Sequence, residues 1–134
     1  MKLHQARIAI ENAINIGWDD RTYVVWDDLV YTPIQPNPYI RVSVQSLYQP
    51  ADGGFIGSRY YKMHGVVTIQ IFTESGVGRT LIDELAEAAI TILRGNIPGI
   101  TLECPSAVTA PFEIENGWQS MNVIANFYYF DTDN

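Results

Sequence analysis

The chain has 134 residues, of which 47% are hydrophobic and 17% charged. That is the make-up of one ordinary globular domain, and it excludes a disordered tail. The formal charge is −7 and the eight basic residues are scattered, which argues against the basic face of a DNA-reading domain. Cys104 is the lone cysteine. An internal disulfide and a Cys-based metal site are therefore excluded, and Cys104 reads as a small apolar residue.

The first residues run straight into a helical pattern, without the apolar core or the small-residue cleavage site of a signal peptide. No apolar stretch is long enough to span a bilayer. A protein that stays in the cytoplasm, with no membrane partner, is the expectation.

Residues 3–16 predict a helix, because Leu3, Ala6, Ile10, Ala13 and Ile14 recur at spacings of three and four. Gly17 stands where a left-handed cap is wanted. Ile8 and Ile16 fall off the stripe, so this helix is expected to be covered on two sides. An acidic turn follows, and then a short strand at Tyr23, Val24, Val25 and Trp26. Pro33, Pro36 and Pro38 make the next stretch an extended connector. Residues 39–48 alternate, with Ile40, Val42 and Val44 on one side and Arg41, Ser43 and Gln45 on the other.

A Gly-rich loop occupies residues 49–58 and carries Phe55 and Ile56 at its tip. Residues 59–73 predict a long strand with Val67, Ile69 and Ile71 on one face. Gly65 inside it predicts a bulge or bend. A second helix is expected over residues 79–94, with Leu81, Leu85, Ala88, Ala89 and Ile92 as its apolar stripe and Gly95 as its cap. Residues 97–104 form a connector with a possible strand, and residues 108–115 a strand. Asn116-Gly117 is the strongest hairpin signal in the chain. A final strand covers residues 118–130, with Met121, Val123, Ala125, Phe127 and Tyr129 on one face, and a polar tail ends the chain. The expected fold is α+β: a single domain over residues 1–134, with an antiparallel or mixed sheet and both helices on one face.

Candidates for chemistry are few. Gly76-Val77-Gly78-Arg79-Thr80 follows a strand and opens a helix, which is the setting of a phosphate loop. That loop needs Gly where Thr73 stands and Lys where Arg79 stands, so the segment reads as a strand-to-helix turn. His4 and His64 have no partner at metal-ligand spacing. Asp19-Asp20 and Asp27-Asp28 are adjacent acids that point apart on extended chain. No Gly-x-Ser-x-Gly elbow frames a serine. Neither an enzyme nor a cofactor-binding protein is expected.

The pattern points instead to association. With the core stripes facing the helices, Phe72, Trp118, Ile124, Tyr128 and Phe130 point to the opposite face, and Tyr60-Tyr61 and Tyr128-Tyr129 put rings on both. A sheet that is apolar on both faces is covered on both, by the Pro-rich connector or by another subunit. Phe55, Ile56, Tyr60, Phe72, Trp118, Tyr128 and Phe130 are the candidate interface residues. Burying Phe55 and Ile56 in a partner would contribute on the order of 3–5 kcal/mol, less the cost of ordering the loop.

The order of these segments resembles the tail terminator family of long-tailed bacteriophages, including its small prophage-type domains. The resemblance is carried by the first helix, by Val24-Val25-Trp26-Asp27 before the Pro-rich stretch, and by Tyr39-Ile40-Arg41-Val42-Ser43-Val44. It continues through the strand of residues 65–73, the turn of residues 74–78, the acidic helix with Asp83, Leu85 and Ala86, and Gly117-Trp118-Gln119-Ser120-Met121-Asn122-Val123. It implies a homo-oligomer, a hexameric ring that ends tail tube polymerisation and joins the tail to the head. The implied partners are the tail tube protein and a head-tail connector protein, and the implied location is the virion, assembled in the bacterial cytoplasm. Genomic DNA would pass through without specific binding. A compact domain of this length is about 35 Å across, so a ring of six leaves a hole wide enough for a duplex. Acidic residues lining it would let phosphate slide. The rival readings are a head-completion or stopper protein of the same neck and, from another class, a small-molecule-binding domain with a concave apolar pocket.

Overall fold

The computed structural model describes residues 1–27, 29–34, 36–47, 59–115 and 117–133, with backbone alone at 59, 60, 104, 106–115, 132 and 133. The elements are α1 (Leu3–Trp18), β1 (Tyr23–Trp26), β2 (Tyr39–Leu47), β3 (Arg59–Glu74), α2 (Thr80–Leu93), β4 (Thr101–Glu115) and β5 (Trp118–Asp133). The five strands form one mixed sheet in the order β1-β2-β3-β5-β4. The β1–β2 pair is parallel and every other pair is antiparallel. The protein is an α+β fold.

Alternation decides which side chains meet the helices. Ile40, Val42 and Val44 of β2, Val67, Ile69 and Ile71 of β3, and Met121, Val123, Ala125, Phe127 and Tyr129 of β5 form one buried cluster. They share it with Ala6, Ile10, Ile14 and Trp18 of α1 and Ile82, Leu85, Ala86, Ala89 and Leu93 of α2. Each strand spends every second residue on this core.

Several expectations are corrected. Helix α1 runs one turn past Ile14 and buries Trp18, and its left-handed cap is Asp19 (φ 50°) in place of Gly17. Gly17 serves close approach instead: a Cβ there would lie 2.8 Å from Ile92 Cγ1 of α2. The stripe of α2 is rotated by one position, so Ile82 is buried and Leu81 is exposed. Gly65 makes no bulge, because Ser46, Gly65 and Phe127 pair in unbroken register. Residues 97–104 and 108–115 are not separate segments, since β4 begins at Thr101 and runs through to Glu115. It shifts register between Glu103 and Ser106 and again between Val108 and Glu113. A proline, Pro105 or Pro111, sits at each shift, as edge position and a missing N–H require. The expected polar tail is strand as far as Asp133. Neither Ile8 nor Ile16 is covered; they are 54% and 78% exposed.

Candidate interaction surface

The sheet face turned away from the helices carries two aromatic groups separated by a mainly polar band. At one end, the registers Tyr23↔Tyr39 and Tyr39↔Phe72 bring rings from three strands level. Tyr31, from the Pro-rich connector, stacks on Tyr23 at 4.6 Å between centroids and tilts against Tyr39 at 5.0 Å. Tyr39 stacks on Phe72 at 4.5 Å, and Trp118 meets Tyr39 edge-on at 5.3 Å. The result is a continuous row of rings across β1, β2, β3 and β5.

This row makes a second, smaller core. Val25 and Tyr39 are 1% and 5% exposed although neither belongs to the cluster under the helices. Offset and edge-on rings of this kind stabilise by about 0.5–1.5 kcal/mol per pair beyond area burial. Burial holds the Tyr39 hydroxyl above its ordinary pKa; nearby Arg41 opposes the shift and Tyr31 adds to it. The connector thus covers this end of the face in the same chain. Phe72 and Trp118, both half-buried, are occupied by neighbours in their own chain.

The other end is different. His64 pairs with Tyr128 and Lys62 with Phe130 along the β3–β5 ladder. Lys62 Nζ stands 4.4 Å above the Tyr128 ring, a cation–π contact. Phe130 meets Tyr128 edge-on at 6.0 Å, and His64 tilts against the same ring at 6.0 Å. Phe130 is 50% exposed, as is Leu47 to a similar degree at 49%. Between the two ends lie Thr68, Gln70, Ser120, Asn122 and Asn126, with half-buried Val66 and Ile124 among them, all placed on this face by register. The backbone of Tyr60 continues the strand from the second cluster, pairing with Thr132. Phe55 and Ile56 lie outside the described residues.

The turn that follows β3 has a structural role. Gln119, 3% exposed, donates from Nε2 to Thr73 Oγ1 at 2.7 Å and to the Gly78 carbonyl at 2.8 Å. Gly76 and Gly78 have φ of 90° and 87°, conformations that favour glycine. A carbonyl turned inward to a buried amide differs from the outward-facing N–H groups of a phosphate cradle. Among the described residues no group of three His, Cys, Asp or Glu is placed to hold a metal ion. Among the described residues no helix is long and apolar enough to cross a membrane. On the helix side, a groove of about 260 Å³ is lined by Glu11, Asn12, Asn15 and Trp26. Its polar lining contrasts with the apolar pocket that a small-molecule-binding domain calls for.

Among the residues of these two groups, the sequence does not mark Tyr23, Tyr31, Tyr39, Lys62 and Leu47 as surface candidates, and it raises His64 only as a metal ligand. A signal exists for Tyr31: an aromatic just ahead of the prolines, between two strands that each begin with tyrosine. No such signal marks the groove, because it depends on how α1 lies beside the edge strand.

No protein-family model and no curated protein sequence matches this chain. Solved structures do resemble it, and 21 chains match. One of them superposes with a TM-score of 0.70 at 17% sequence identity, covering 96% of each chain. At that identity the likeness establishes a shared fold.

Proposed function

We propose that this chain is a structural assembly domain, a tail terminator of a long-tailed phage that caps the tail tube as a ring and presents the surface joining tail to head. The observation that carries this reading is the exposure of large apolar side chains on both layers of an otherwise well-packed small domain. Phe130 and Leu47 stand out from the sheet, and Ile8 and Ile16 from α1, at 49% to 78% exposure. Different patches on opposite layers suit head-to-tail contact between copies, which closes into a ring when the rotation allows. The proposed ring is hexameric, as in the resembling family, and the net charge of −7 suits a lumen through which DNA moves without being held.

Within this reading the domain is not catalytic and takes no cofactor. Tyr128, Phe130 and Tyr60, with Phe55 and Ile56 of the Gly-rich loop, form the proposed contact. Phe72 and Trp118 contribute less, because they pack within their own chain. Partners are further copies, the tail tube protein and a connector protein of the head, in a virion assembled in the host cytoplasm. Negative-stain imaging of the protein with tail tube protein tests the proposal. Six-fold rings at tube ends are the expected result. A monomer that leaves tube length unchanged would overturn it and favour the neck stopper or a small-molecule-binding domain.

A further inference from the structure

We infer that the groove between α1 and β1 receives an arginine side chain carried on a polypeptide partner, an inference that does not rest on the tail reading. Trp26 ends the edge strand β1 and is half-buried against the core under α1. Glu11, Asn12 and Asn15 project from the neighbouring flank of the helix, and with Trp26 they line a space of about 260 Å³. Arg7, one turn before Glu11, is drawn to Asp27 at 3.8 Å. Among the described residues, no basic group pairs with Glu11.

The chemistry of this lining selects its ligand. An indole and an unpaired carboxylate at one groove favour a cation and disfavour an anion. Two carboxamides add carbonyl oxygens that accept further N–H groups. Arginine meets all three demands together: its plane stacks on the indole, its fork meets the carboxylate, and its remaining N–H groups reach the amides. An ammonium offers neither the plane nor the fork. A bare metal ion would find one carboxylate and no imidazole or thiolate.

The surroundings indicate a polypeptide. Ile8 and Ile16 each stand four residues from Asn12 and so border it on the solvent side of α1. They are 54% and 78% exposed. One stands a turn before the groove and the other at its far end. Apolar residues on either side of an arginine would cover them, which a free amino acid cannot do. The acidic chain, at −7, would draw a basic partner toward it.

The test uses the full chain, labelled with nitrogen-15, and follows the indole N–H resonance of Trp26, identified by its loss in Trp26→Phe. The probe is a blocked pentapeptide with arginine at its centre and leucine at each end. Saturable movement of the Trp26 signal at millimolar peptide is expected. The citrulline analogue should bind at least about tenfold more weakly, because it keeps the shape and loses the charge. Glu11→Gln should weaken the arginine peptide to the same extent. The pair Ile8→Ser and Ile16→Ser should bring the peptide down to the affinity of a blocked single arginine. Equal binding of the citrulline peptide, unchanged binding by Glu11→Gln, or no movement of the Trp26 signal would each overturn the inference. So would movement of that signal by N-acetylglucosamine at lower concentration than by the arginine peptide.

Discussion

Gly65 on β3 stands directly opposite Phe127 on β5, and the Phe127 ring fills the space that a side chain on Gly65 would need. A Cβ built at Gly65 would also lie 2.5 Å from the carbonyl oxygen of Gln45 on β2. The ring is 1% exposed and has no room to withdraw, and the backbone on the other side is held by the sheet. Gly65→Ala should therefore destabilise by about 3 kcal/mol, at the upper end of overpacking costs. Urea unfolding measures it. Gly65→Ala combined with Phe127→Leu should recover part of the loss, and a neutral single substitution would contradict this packing.

Gln119 offers a second test, of hydrogen bonding in place of volume. Gln119→Leu keeps the bulk and removes both donated bonds, leaving Thr73 Oγ1 and the Gly78 carbonyl unpaired. A cost of about 2 kcal/mol is expected. Adding Thr73→Val should return some of it, because one of the two orphaned groups is then gone. The readout is thermal or denaturant unfolding.

Alkaline pH should reveal the aromatic row. Burial raises the pKa of Tyr39 above 10.0 in the folded chain, and that of Tyr129 likewise, where the Ser46 hydroxyl opposes the shift and Asp131 adds to it. Below the unfolded value both states hold the proton, and neither tyrosine imposes a pH dependence. Above it the unfolded chain loses protons that the folded chain keeps, so stability falls until the folded groups ionise too. A decline beginning near pH 10 is expected in chemical unfolding. Tyr39→Phe should make that decline shallower while leaving the stack on Phe72 in place.

Much of this architecture could be read from residue order, and the failures have physical causes. Alternation in residues 39–48 and 59–73 placed the correct side chains on the core face, because a half-buried strand has a period of two that nothing else imitates. In the second helix, Leu81 and Ile82 are adjacent and equally apolar, so composition could not decide which faced inward; the sheet decided for Ile82. Gly65 suggests a bulge or bend because the local chain carries no sign of Phe127, a residue far away in sequence. The open-face residues Phe72 and Phe130 were both legible as pointing away from the helices. Phe72 is covered by its own chain because Tyr39 stacks on it across the β2–β3 ladder, a register no single segment encodes, and Tyr31 extends that row through a connector whose path no periodicity encodes.

Assembly variants separate the two ends of the open face. Phe130→Ser should leave the melting temperature nearly unchanged, because Phe130 is half exposed, and Tyr128→Ser should lower it slightly, because Tyr128 is half-buried between Lys62, His64 and Phe130. They should weaken ring formation or tube capping by a few kcal/mol per contact. Phe55→Ser with Ile56→Ser is expected to behave the same way, on the strength of the sequence. Trp118→Ser should instead lower the melting temperature, since it removes a ring that packs on Tyr39. A large fall in melting temperature for the first pair, with capping intact, would place those side chains in the protomer's own core.

Polyanions should not bind. Calorimetry with ATP or GTP at millimolar ligand should show no heat of binding, given the inward-turned Gly78 carbonyl. Duplex DNA should give no gel shift at physiological salt, given the charge of −7. A shift at submicromolar protein would point to a basic patch.

The two rims of the sheet have a consequence for how copies can meet. One rim, β1, is four residues long, and the other, β4, loses register twice, each time at a proline. Neither offers the long, flat, unpaired ladder on which strands add one after another without limit. At high local concentration, copies of this chain are steered away from fibrous growth through their rims. The contact proposed between copies is thereby left to the faces, where geometry would set the number of copies joined.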